Sequence, residues 1–91
     1  MTKTFLKAIS TQSAPAPVGP YTQAVVAENL VYCSGQIALN PLTGSMHGDG
    51  NVEEETRQVL TNLKAVLNEA GSSPSKVIKT TIYLVDLKDF E

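Results

Sequence analysis

Leu30-Val31-Tyr32-Cys33-Ser34-Gly35-Gln36-Ile37 is the stretch whose reading decides the fold. Its β-branched and aromatic residues suit a pleated, half-buried surface. Alternation puts Leu30, Tyr32, Ser34 and Gln36 on one face, and Val31, Cys33, Gly35 and Ile37 on the other. The end of the run is unusual for a core strand, because a hydroxyl, a bare backbone position and an amide follow one another. Glycine inside a strand marks either a bulge or a place where something approaches the backbone closely. At this point both readings stand.

Working outward, Tyr21 to Ala27 reads as the preceding strand. Glu28-Asn29 is then a two-residue connection, with Asn tolerating positive φ, so the two strands are expected to form an antiparallel hairpin. Upstream, Ser10 to Pro20 holds Pro15, Pro17 and Pro20 and reads as a stiff loop laid on the protein. Thr4 to Ile9 is a further strand. Downstream, Asn40-Pro41-Leu42-Thr43-Gly44 is a turn, and a glycine-rich loop continues to Asn51. His47 in that loop has no second ligand nearby and reads as a solvated side chain.

Val52, Thr56, Val59, Leu60, Leu63, Val66, Leu67 and Ala70 recur at helical spacing and predict an amphipathic helix covering one sheet face. Asn51 is placed to cap it, with Glu54 at the capping-box position and Gly71 at the far end. Glu53 and Arg57 are spaced as an i,i+4 pair on its charged face. Ser72 to Ser75 is a connector. Val77 to Val85 is expected as a strand apolar on both faces, which calls for cover from a neighbouring subunit. Asp86 to Glu91 reads as the opening of a second helix, capped by Asp86 or Asp89. On this reading the chain stops short, without that helix and the strands after it.

The chain has 91 residues, 42% hydrophobic and 18% charged, with net charge −2. That fits a single α/β (α+β) domain spanning residues 1–91. The lone Cys33 excludes an internal disulfide and reads as a small buried hydrophobe. With no apolar membrane-spanning run and no signal core, the expected setting is cytoplasmic. Seven scattered basic residues disfavour nucleic acid as a partner.

Five segments, in this order, resemble the Rid (YjgF-like) family: Ala16 to Tyr21, Cys33 to Ile37, Asn40 to Gly44, Glu55 to Leu67 and Val77 to Leu87. The resemblance implies a chorismate-mutase-like sheet covered by helices, assembled as a homotrimer around a central barrel. It implies hydrolytic deamination of reactive enamines and imines, such as 2-aminoacrylate and 2-iminobutanoate, to 2-keto acids and ammonia, with no metal or organic cofactor. By the same resemblance Tyr21 lies at the substrate pocket wall, Gly35 offers its backbone to the ligand and Ser34 precedes it. The family's carboxylate-gripping arginine and water-positioning glutamate fall on later strands that this chain does not contain. Arg57 is not that arginine, and the catalytic residues within 1–91 stay unassigned. A non-catalytic ligand-binding or chaperone-like trimer is the alternative, and ribonuclease or translation inhibition a weaker one.

Overall fold

Three short strands and one long helix carry the architecture: β1 (Leu6–Ile9), β2 (Ala24–Ala27), β3 (Leu30–Cys33) and α1 (Val52–Glu69). The computed structural model describes residues 6–90. The strands form an antiparallel meander in the order β1-β2-β3. This is an α+β arrangement, a sheet with a helix across it. Thr4 and Phe5, placed in the first strand by the sequence pattern, lie outside the described residues, as does Glu91.

The register sorts the side chains. Ile9, Ala24 and Cys33 are cross-strand partners on one face, followed by Lys7, Val26 and Val31. That face meets α1. Ile9, Ala24, Ala14 and Val66 form the buried cluster, with Val31, Cys33, Ala65 and Ala70 packed at its edge. Fully burying one such valine stabilises the fold by about 1.5–3 kcal/mol. The opposite face carries Leu6, Ala27 and Leu30, then Ala8, Val25 and Tyr32. Nothing in the described chain covers it fully, and Leu6, Leu30 and Tyr32 stand 69%, 44% and 61% exposed.

The hairpin between β2 and β3 forms with the expected two-residue connection, but Glu28, not Asn29, takes the positive φ of 55°. The strands are shorter than the pattern predicts. At Tyr21 to Gln23 the chain turns its polar groups inward: Thr22 Oγ1 donates to Ile9 O at 2.7 Å, and the Gln23 side chain bonds the proline-rich loop. β3 ends at Cys33, where Ser34 N and Ser34 Oγ both donate to Gln23 O at 3.0 Å.

α1 begins and ends where its capping residues direct. Asn51 Oδ1 accepts from Glu54 N at 3.1 Å. The reciprocal half of the capping box is not made, because Asn51 N donates to Gly48 O. Gly71, at φ 82°, closes the helix: Ser72 N donates to Leu67 O and Gly71 N to Asn68 O, the paired bonds of a Schellman motif. The buried face differs from the expected stripe in two places. Thr56 and Leu60 point away from the sheet, with Leu60 58% exposed, while Asn62 is fully buried. Arg57 approaches Glu54 at 3.9 Å, one turn-neighbour away from the expected Glu53.

The strand expected over Val77 to Val85 is not formed. A ladder needs a neighbouring edge to supply N–H and C=O partners, and among the described residues this segment has none. Its β-forming side chains are left in solvent, with Ile78 86% and Tyr83 93% exposed. Asp86 does act as a cap, accepting from Lys88 N at 3.0 Å, but the turn it starts is a 3-10 helix over Leu87–Phe90.

Gly48 is the backbone position with least freedom to change. Its φ is +100°, and an added Cβ would sit 2.8 Å from Glu55 Cγ and 3.0 Å from Glu55 N. Gly48→Ala is expected to cost about 1–3 kcal/mol of stability. Gly44→Ala, whose methyl meets nothing within 4 Å, is expected to cost less. Urea unfolding of the two variants checks the order.

Candidate functional site

A proline-rich segment cannot hold itself in place, because proline donates no backbone hydrogen bond. Between Pro15 and Tyr21 the local bonds are few: Tyr21 N to Gly19 O at 2.8 Å, and a long contact from Val18 N to Tyr21 Oη at 3.4 Å. The segment is held at its first residue, and the chain leading into it at Thr11 and Ala14, by the side chain of Gln23. Its Nε2 donates to Pro15 O at 2.8 Å, Thr11 O at 3.0 Å and Ala14 O at 3.2 Å. Its Oε1 accepts from Thr11 N at 2.6 Å. Gln23 itself is 2% exposed.

Against this segment lies the chain that leaves β3. Gly35, Gln36, Ile37 and Leu39 face Pro15, Pro17, Val18 and Tyr21 across a cavity of about 30 Å³. That is room for a water or two, too little to enclose a four-carbon acid. The second wall is also held by an amide. Asn62, buried in the middle of α1, donates through Nδ2 to Leu39 O at 2.9 Å and to Ile37 O at 3.2 Å. Gln58 Nε2 completes the set by donating to Asn62 Oδ1 at 2.9 Å. Sequence reasoning missed both amides. The signal was available for Asn62, a polar residue four positions before Val66 on the buried side of the helix.

Of the residues singled out in the sequence, Tyr21 and Gly35 line this cavity together. Ser34 does not: its hydroxyl is committed to Gln23 O. Gly35 has open space where a Cβ would go. Among the described residues its N–H has no backbone partner. No charged side chain lines the cavity. To any ligand these residues can offer only shape, one phenol, amides and backbone groups.

The other candidates lie elsewhere. His47, read as solvated, stands 3.5 Å from Glu54 with both side chains about half exposed, a pair worth ~0.2–1 kcal/mol when charged. Cys33 is half-buried beside the core, and burial raises its thiol pKa, which keeps it protonated and unreactive near neutrality. Among the described residues no three His, Cys, Asp or Glu side chains gather to hold a metal. No helix there is long and apolar enough to cross a membrane.

Comparison with known proteins identifies relatives of this chain. The family described as Endoribonuclease L-PSP matches residues 11–91. A RutC family protein of Synechocystis is 54% identical over 85 residues, covering 93% of this chain. The chain spans 65% of that relative's length. A mouse protein named 2-iminobutanoate/2-iminopropanoate deaminase is 44% identical over 90 residues, 99% of this chain and 66% of its own. The crystal structure of YyfA from Yersinia pestis, a protein of the conserved Rid family, superposes with a TM-score of 0.90 at 41% identity, covering 94% of this chain and 68% of that one.

Removing the buried helix amide tests how the second wall is held. Asn62→Ala leaves Ile37 O and Leu39 O without their donor, and each buried unsatisfied group costs about 1–3 kcal/mol. A loss of about 2–4 kcal/mol is expected by chemical denaturation, against well under 1 kcal/mol for the exposed helix change Asn68→Ala.

Proposed function

The chain belongs to the Endoribonuclease L-PSP family, whose structural relatives are Rid (YjgF-like) proteins, and from that membership we propose that the protein hydrolyses reactive 2-imino acids to 2-keto acids and ammonia. The observation that carries the reading is the 44% identity, along nearly the whole chain, to a protein named for that reaction. Water adds to the C=N carbon of a 2-imino acid such as 2-iminobutanoate or 2-iminopropanoate. The C–N bond of the resulting carbinolamine breaks, the nitrogen takes a proton and leaves as ammonia, and the carbonyl remains. No electrons are exchanged, so the balance requires no redox cofactor.

Within this reading Tyr21 forms the wall against which the substrate lies, and Gly35 offers its N–H. Ser34 contributes through Gln23 O, to which its hydroxyl donates. The small volume and uncharged lining favour a site completed by a further surface that brings a cation to the substrate carboxylate. A bidentate arginine suits that task.

The apolar sheet face of Leu6, Ala8, Val25, Ala27, Leu30 and Tyr32 is where we place contact with further copies in a homotrimer. Contiguous apolar surface of this kind favours burial against a partner. Cytoplasmic residence is part of the same proposal. The endoribonuclease reading has the family description in its favour. The cavity argues against it, since it presents no basic, acidic or imidazole side chain to a phosphodiester.

Kinetics, thermal unfolding and sedimentation test the proposal. Imine generated in situ from an amino acid should be converted to keto acid faster than its spontaneous hydrolysis, and Gly35→Leu should raise KM at least about tenfold while thermal unfolding stays close to wild type, since the position has room for a side chain. Conversion at the spontaneous rate, or RNA cleavage without imine turnover, would overturn it. Sedimentation should show a trimer that Tyr32→Lys dissociates; a wild-type monomer at micromolar concentration would remove the assembly.

A further inference from the structure

We infer that Gln23 is a positioning residue for the site: its buried amide fixes where the Pro15 to Tyr21 wall stands relative to Gly35. The inference rests on the reading of that cavity as the substrate site; Gln23 also lines the cavity, but its amide is spent on the loop.

Three observations carry it. The first is the lack of local support. Pro15, Pro17 and Pro20 donate nothing, and the only strong bond within the wall joins Tyr21 N to Gly19 O. The second is where the amide's capacity is spent. Both donors of Nε2 go to Pro15 O, where the wall begins, and to Thr11 O and Ala14 O on the chain leading into it, and Oε1 takes Thr11 N–H. No hydrogen remains on Nε2 for a ligand, so the side chain acts through the loop. The third is that the Gln23 backbone is itself pinned. Ser34 donates twice to Gln23 O, from N and from Oγ. Ser34 adjoins Gly35 on the opposite wall, so one residue ties the two sides of the cavity together. A hydrocarbon side chain would fill the same space and leave three carbonyls competing for no donor.

The experiment uses Gln23→Met, which matches the shape and removes every polar contact, and Gln23→Glu, which keeps an acceptor for Thr11 N–H and loses the donor. The control is Val66→Ala, a fully buried core residue that does not line the cavity. All are assayed at a temperature where each is folded. With 2-iminobutanoate the expected result for Gln23→Met is a rise in KM of about tenfold or more with kcat changed less than about threefold, and wild-type constants for Val66→Ala. Hydrogen exchange at the Tyr21 amide, which the Gln23 side chain does not touch, is expected to accelerate in both Gln23 variants and not in Val66→Ala. Should Gln23→Met fail to fold, Gln23→Glu carries the same comparison. Equal kinetic losses in Gln23→Met and Val66→Ala, or Tyr21 exchange unchanged while only Thr11 is deprotected, would overturn the inference. If wild-type protein leaves the imine at its spontaneous rate, the deaminase reading fails by itself and the exchange result still decides whether Gln23 holds the wall.

Discussion

One primary amide, buried at Gln23, holds a stretch of backbone that has almost no means of holding itself. The need arises from the sequence: three prolines within six residues fix φ and remove donors, which makes the segment stiff but leaves its carbonyls unanswered. Buried carbonyls without partners are costly. A glutamine at the foot of β2 answers the first of them, at Pro15, together with the carbonyls of Thr11 and Ala14 just upstream, and takes one N–H in return. β2 starts at Ala24 and β3 stops at Cys33, and one further bond of the same ladder, Ser34 N to Gln23 O, carries the pairing to the edge of the cavity while the Gln23 side chain turns into the loop.

The second constraint is one of area. Three four-residue strands make a small sheet with two apolar faces, and a single helix can cover one of them. Val66, Ala65 and Ala70 close α1 against Ile9, Ala24 and Val31. Small side chains at Ala24 and Ala65 let helix and sheet approach closely, and Val66 fills the space between them. The face bearing Leu6, Leu30 and Tyr32 gains nothing from α1. Burying three such side chains would contribute several kcal/mol at about 25 cal/mol per Å², a large sum beside the stability of a domain this size. Pressure to cover that face is therefore built into the strand composition.

What the sequence discloses depends on whether a residue's role is local. The hairpin at Glu28-Asn29, the Asn51 cap and the Gly71 terminus are short-range features, and the chain shows each of them. Tyr21 and Gly35 could be set together through a family resemblance, and they line one cavity. Gln23 was not legible, because a polar residue among apolar ones looks solvent-facing until the carbonyls it serves are located, and Asn62 showed its buried place four positions before Val66 but not the carbonyls it holds. Those carbonyls lie 8 to 12 positions away for Gln23 and 23 to 25 for Asn62. Leu60 misled in the opposite sense, an apolar residue at helical spacing that faces away from the sheet. Val77 to Val85 shows a further limit: β-branched alternation specifies a surface that suits a sheet, but no alternation names the edge that will pair with it.

The two amides also explain why the cavity can have walls of irregular backbone. Loops are mobile when their polar groups can exchange partners with water at little cost. Here the first wall is tied at Pro15, and the chain leading into it at Thr11 and Ala14, by the buried Gln23 beside β2, and the second wall at Ile37 and Leu39 by the buried Asn62 on α1. The anchors are neutral. A buried cation could hold the same carbonyls, but it would carry a desolvation cost and would place a charge beside the cavity. An amide supplies donors without that field, so the walls are held by folding and the cavity stays free of charge.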